Sequence, residues 1–267
     1  MAAKLVLITG ASSGIGEALA KRYGRAGDHV LLLARNAGRL AAVADAIKRE
    51  GGTATAFTID LADAKAIEEM SAKIAREVGT PDVLVNNAGA GRWLPLIKTT
   101  AEEALAMIEV PYLAAFNLTR AFLPYMLARQ SGAIVFVSSP AAYLAWPNAS
   151  AYIASRRAVA ALADSLRSEL HRSGVTVSLV LLGTVESAYW EHNPGSRAYL
   201  PKSNSVLFPT LSPDEAAETV MVAAEARRRI TVRPWLFRLI FVLNVLMPNL
   251  VAAQLRRAAR KSSPNRT

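Results

Sequence analysis

Tyr152 and Arg156 stand four residues apart in the run YIASR, which reads as the start of a helix. That spacing puts both side chains on one helical face, one turn apart. At about 5 Å and an effective dielectric near 20, the arginine charge favours a tyrosinate by roughly 3 kcal/mol. The phenol is therefore a candidate for exchanging protons. A second group lies in KLVLITGASSGIG, residues 4–16. Gly10, Gly14 and Gly16 allow a tight turn and let the backbone approach a ligand closely. The apolar run before them reads as a buried strand. After them Ile15, Leu19 and Tyr23 recur at helical spacing, and Gly27 supplies a stop. Free N–H groups and the helix dipole then converge on one spot, an anion site suited to the pyrophosphate of a dinucleotide.

These groups need a scaffold, and the rest of the chain supplies one. Further strand-like runs occur at 30–34, 54–59, 83–85, 133–137, 175–182 and 230–233. Helical stretches fall between them, at about 37–50, 63–78, 101–129 and 151–172. Alternating strands and helices with continuous apolar strands predict an α/β fold: one doubly wound, Rossmann-type parallel sheet of about seven strands, covered by helices on both faces. Residues 1–233 form this domain, and 234–267 form an apolar, then basic, C-terminal helical extension. The irregular segment 187–213, rich in Pro, Asn, Ser and aromatics, follows the sixth strand and is placed to act as a lid.

The 267 residues contain no cysteine, which excludes disulfides and thiolate metal sites. His29, His171 and His192 lie far apart without ligand spacing, so no structural metal is expected. Met-Ala-Ala-Lys leads directly into the first strand and leaves no room for a signal peptide, which points to a cytoplasmic protein. The net charge of +10 comes from one region. Residues 227–267 hold ten Arg or Lys and no acid, so the body of the chain is neutral. No nucleic-acid partner is expected; a basic tail meeting an anionic surface fits better.

The loop at 10–16 is G-x-x-x-G-x-G with Thr9 before it and Ser12 and Ser13 inside. It resembles the TGxxxGxG loop of the short-chain dehydrogenase/reductase family. Asn86-Asn87-Ala88-Gly89 after the fourth strand, and Ser138-Ser139 thirteen residues before Tyr152, extend the resemblance over roughly residues 4–185. It implies that Ser139 polarises a substrate carbonyl or hydroxyl, Tyr152 exchanges the proton, and Arg156 holds ribose and charge. It also implies a cofactor site at Gly10, Ser12, Ser13, Gly14, Ile15, Gly16, Asp60, Leu61, Asn87, Ala88 and Gly89, with Tyr152, Arg156, Thr184 and Val185 at the nicotinamide end. Taken alone, Asp60 or Asp63 is equally an ordinary helix N-cap, Ser139 a strand-end serine and Tyr152 a buried helix tyrosine.

The sequence departs from the family pattern at three positions. Arg156 stands where lysine is usual, and arginine keeps the charge but cannot pass on a proton. Pro111, in Val110-Pro111, stands where a catalytic asparagine is usual, and it brings no side-chain amide. Leu182-Gly183 replaces the usual Pro-Gly. Arg35 directly follows the second strand, where enzymes that use NAD usually carry an acid. A guanidinium there welcomes a 2′-phosphate, so NADP (NADPH) is favoured and NAD is less expected, although a strand-end arginine is often merely solvated.

In the tail, Trp235 opens an apolar run to Met247 interrupted only by Arg238 and Asn244, and Arg256, Arg257, Arg260 and Lys261 follow. The run is short of the roughly 20 residues a bilayer crossing needs. It reads as an in-plane helix in peripheral contact with an anionic membrane, on the cytoplasmic face, or as a helix capping the pocket or a dimer interface. Either reading suggests a small lipophilic substrate. The resulting expectation is an NADP(H)-dependent oxidoreductase interconverting a secondary alcohol and a ketone, acting as a homo-oligomer. The alternatives are a dinucleotide-binding regulatory protein that has lost redox chemistry, or a non-redox reaction using the retained tyrosine.

Overall fold

The structure, a computed structural model, describes residues 2–200 and 208–262. Seven parallel strands form one sheet in the order β3-β2-β1-β4-β5-β6-β7. They are β1 (Leu5–Thr9), β2 (His29–Ala34), β3 (Thr53–Thr58), β4 (Val83–Asn86), β5 (Gly132–Ser138), β6 (Val175–Leu182) and β7 (Ile230–Arg233). The expected doubly wound sheet is present with its strands close to the expected positions.

Its residues divide between two cores with the period of two that a pleated strand imposes. Val6, Ile8, Val30 and Leu32 face one core, against α1 (Gly14–Arg25), α2 (Ala37–Arg49) and α8 (Pro213–Glu225). Leu7, Leu31, Leu33 and Phe136 face the other, against α3 (Ala64–Glu77), α5 (Ala114–Ala128) and α6 (Ser150–Glu169). Helices on both faces explain why the central strands read as unbroken apolar runs. The edge strand β3 is more open: of its six residues only Ala54 is buried.

The helical stretch expected over 101–129 runs without a gap from 101 to 128, but it widens once along its length. α4 (Ala101–Ile108) passes through a π-helical turn, Glu109–Leu113, before α5 begins. Pro111 explains the widening, because it has no N–H to donate and its ring crowds the carbonyl of the preceding turn. The ladder widens there, and the Ala114 N–H donates to the Glu109 carbonyl.

The extension is helical and lies on the domain. α9 (Leu236–Leu246) and α10 (Pro248–Ser262) pack Phe237, Ile240, Phe241, Val251 and Leu255 against Leu144. No described helix is long and apolar enough to cross a membrane. The lid contributes α7 (Tyr189–His192) and a 3₁₀ turn, Ser196–Tyr199. The part of the expected lid at 201–207 lies outside the described residues, as does the end of the tail at 263–267.

Candidate active site

Between β1 and β4 the strand order reverses, and a doubly wound sheet opens a crevice at such a point beyond its carboxyl ends. A cavity of about 500 Å³ lies there. Every cofactor residue expected from the sequence lines it except Gly16, as do Ser139, Tyr152 and Arg156.

The glycine loop is built as its residue types require. Gly10 and Gly14 adopt φ of +67° and +57°, a conformation L side chains rarely take. Gly16 supports the loop from behind: a Cβ there would stand 2.2 Å from the Gly10 carbonyl oxygen and 2.8 Å from Asn87 Nδ2. Its role is to let α1 close up beneath the loop, a correction to its expected place among ligand-contacting residues. Ser13 is the N-cap of α1 by position, but its side chain makes no capping bond. The first-turn N–H groups thus remain available to an anion.

Thr9 ties the loop to the end of β4. Its hydroxyl accepts from the N–H groups of Asn87 and Ala88, both at 2.9 Å, and Asn87 Nδ2 donates to the Thr9 carbonyl at 2.9 Å. Asn86 donates to Thr119 at 3.2 Å. The Asn87 amide is therefore spent on holding β4 to β1 and the Asn86 amide on holding β4 to α5, while Asn87, Ala88 and Gly89 line the cavity.

At the far end the lining includes Arg35, Asn36, Arg39, Asp60 and Leu61. Arg39 was not among the expected residues, although a second base four positions after Arg35 was a readable signal. Asn36 caps α2 by accepting from the Arg39 N–H at 2.9 Å, which fixes the start of that helix beside the cavity. Asp60 accepts from the Ala62 N–H at 3.1 Å, and the N-cap of α3 is Asp63. Of the charged residues lining the cavity, three are arginines and only Asp60 is acidic, so its field suits a polyanion.

At the other end α6 presents Tyr152 and Arg156 as their four-residue spacing predicts. The Arg156 guanidinium carbon lies 4.8 Å from the Tyr152 ring centroid. Arg156 is only 6 % exposed, and its Nη2 donates weakly to the Ala90 carbonyl at 3.4 Å. Its Nε has no hydrogen-bond partner, and it forms no ion pair among the described residues. Burial works against this charge, yet the phenols of Tyr152 and Tyr189 outweigh it and hold the guanidinium above its ordinary range. A buried cation without a carboxylate is costly unless something anionic completes it. Gly89 makes room for this cation, since a Cβ there would stand 2.9 Å from Arg156 Nη2.

Tyr189, from α7, is a residue that motif reasoning missed. Burial pushes its phenol up, so it stays protonated and donates to the Gly91 carbonyl. The lid is docked to the loop after β4 by further bonds: Gly91 N–H to Asn193 Oδ1 and Trp93 N–H to Ser196 Oγ, both at 3.1 Å. Trp93 packs on Tyr152 with ring centroids 5.4 Å apart. Ser139 accepts from the Ala141 N–H at 3.3 Å and opens a 3₁₀ turn, while its side chain lines the cavity. Beside the π-helical turn the wall is Ala106 and Val110, with no amide from that turn or from Asn117.

A glycine-cradled anion site at the switch point, with a serine and a tyrosine beyond it, defines a dinucleotide-dependent α/β enzyme site. The short chain dehydrogenase family model matches residues 4–196, and the chain belongs to the short-chain dehydrogenase/reductase family of oxidoreductases. A fatty acyl-CoA reductase from Acinetobacter baylyi is 34% identical over 231 residues, covering 84% of this chain and 74% of that protein. A metagenomic short-chain oxidoreductase solved in complex with NADP is 33% identical, with a TM-score of 0.71, covering 86% of this chain and 94% of that one. A short-chain dehydrogenase from Sphingobium yanoikuyae in complex with NADPH is 26% identical, with a TM-score of 0.79 over 98% of this chain and 99% of that one.

Proposed function

We propose that the chain is an NADP(H)-dependent oxidoreductase interconverting a secondary alcohol and a ketone on a lipophilic substrate. The observation that carries this reading is the buried, carboxylate-free Arg156 guanidinium against Tyr152 in a cavity with a glycine cradle. The cradle fits a pyrophosphate, and Arg35 with Arg39 fits a 2′-phosphate. When bound, NADPH supplies the hydride. Ser139 orients the substrate oxygen, Tyr152 gives it a proton in the reductive direction, and Arg156 stabilises the phenolate left behind. Trp93, Leu144, Trp146, Trp190, Leu200 and Phe237 make the adjoining wall largely apolar, which supports a lipid-like substrate. The similarity to a fatty acyl-CoA reductase points the same way. Self-association is part of the proposal: Leu113, Phe116 and Tyr125 are exposed on α5 and the turn before it, and a second copy would remove them from water.

The test is consumption of NADPH with a panel of long-chain, polycyclic and short water-soluble ketones, beside calorimetric titration with NADPH and NADH. Turnover is expected on the lipophilic members. The double variant Arg156→Lys with Pro111→Asn should raise kcat, because it returns a side chain able to pass on a proton and an amide beside it. Tight NADPH binding with no turnover in either form would favour the regulatory reading that Pro111 and Arg156 motivate.

Cofactor choice has its own expected result. Arg35→Ser with Arg39→Ser should weaken NADPH binding on the order of 10- to 100-fold, the loss of a charged hydrogen-bonding pair. NADH binding should change far less. Equal losses for both nucleotides would remove the assignment of these arginines to a 2′-phosphate.

A further inference from the structure

We infer that α9 docks in the plane of an anionic lipid bilayer and that the substrate reaches the cavity from that surface, an inference that rests on the lipophilic-substrate reading above. Apart from Arg238 and Asn244 the helix is apolar along its whole length, but the fold uses only one side. Phe237 lines the cavity, Phe241 packs on Tyr143 with ring centroids 5.3 Å apart, and Asn244 Nδ2 donates to the Tyr143 carbonyl at 3.2 Å. The one amide in the run is thus satisfied by the protein.

The outer side is left to solvent. Trp235 is 66 % exposed, Val242 57 %, Val245 80 % and Leu246 71 %, with Leu239 and Leu250 half exposed. Arg238 is the one charge within α9. So continuous an apolar surface calls for a partner. The charge around it says which one. Arg256, Arg257 and Arg260 are exposed on α10, which follows α9 after a single residue, and residues 227–267 contain no acid at all. A Trp-flanked apolar face in a basic tail free of acids matches the headgroup and acyl boundary of an anionic leaflet. A second copy of the chain would bring bases against bases. Neither tail helix can span a bilayer, so the helix lies along the surface. Because Phe237 forms cavity wall on one side of the helix that carries this face on the other, the cavity lies next to the lipid.

The test uses the intact protein with vesicles of phosphatidylcholine alone or mixed with phosphatidylserine, separated by flotation at low and at high salt. Binding to the mixed vesicles at low salt is expected, weakened about tenfold or more by high salt or by Arg256→Glu with Arg257→Glu. Val242→Glu with Leu246→Glu should remove it. Both side chains point away from the core, and unchanged NADPH affinity in calorimetry confirms an intact fold. With this variant, KM for a long-chain ketone carried in vesicles should rise, while turnover of a short soluble ketone stays as before. No flotation of the intact protein at low salt overturns the inference, as does flotation indifferent to both variants. A dimer that Val242→Glu with Leu246→Glu splits, and that does not float when intact, overturns it in favour of a second copy. Flotation is read without turnover, so its failure leaves the proposed chemistry standing. Absent NADPH binding in a protein that floats would sink the chemistry alone.

Discussion

Tyr152→Phe should lower kcat by about a thousandfold, within the range that removing a positioned acid or base costs. The ring remains, so its packing on Trp93 and the Arg156 guanidinium over its face both survive. Only the hydroxyl goes. NADPH affinity should therefore stay within about twofold of the parent, since the loop, Arg35 and Arg39 are untouched, and a twofold change is below 1 kcal/mol. The measurement pairs single-turnover rates with calorimetry, so that loss of chemistry is separated from loss of binding. Turnover within tenfold of the parent would show that another group carries the proton. Tyr189 is the first candidate, because its hydroxyl lies beside the same guanidinium.

Gly16→Ala should cost almost as much by a different route. The new methyl meets the Gly10 carbonyl oxygen at 2.2 Å, and this neighbour is backbone that cannot swing aside. Either α1 moves away from the sheet or the loop opens. Overpacking of this kind costs about 1–3 kcal/mol of stability, and the displaced N–H groups should weaken NADPH binding by on the order of a hundredfold. Gly14 provides the contrast. Its difficulty is backbone conformation, φ +57°, with Ser187 Cβ no nearer than 3.2 Å. Gly14→Asn should therefore bind NADPH more tightly than Gly16→Ala, because asparagine tolerates the left-handed region. Thermal melts and NADPH titrations of the two variants test the ordering. A Gly16→Ala protein that binds like the parent would mean that the loop is not held by helix packing from below.

The loop, the strands and the placing of Tyr152 beside Arg156 were readable because each leaves a local trace. Strands buried on both faces, such as β2 and β6, can only be continuous apolar runs. A turn with positive φ and close backbone approach selects glycine. A tyrosine and a base on one helical face must lie three or four apart. The adenosine end was partly readable: Arg35 was found from its strand-end position, while Arg39 was passed over on the first turn of α2. Other parts of the cavity leave no such trace. Trp93, Tyr189, Asn193 and Phe237 come from the loop after β4, the lid and the tail, and no periodicity links them. The π-helical turn was hidden for a related reason. Pro111 reads as a helix interruption, but α5 runs through Pro124 unbroken, so a proline by itself does not say where a ladder widens.

By itself, then, the sequence determined the doubly wound sheet and the anion cradle, because these follow from short-range periodicity and spacing, while its resemblance to a known family is what pointed to the serine, tyrosine and arginine beyond them. Tertiary structure alone decided that the Arg156 charge is buried without a carboxylate, that Gly16 supports the loop from beneath, and which side of α9 faces the cavity. Burial and facing depend on contacts between segments far apart in the chain, and thirteen mostly apolar positions in a row carry no mark of which side will meet the protein and which will be left for a partner.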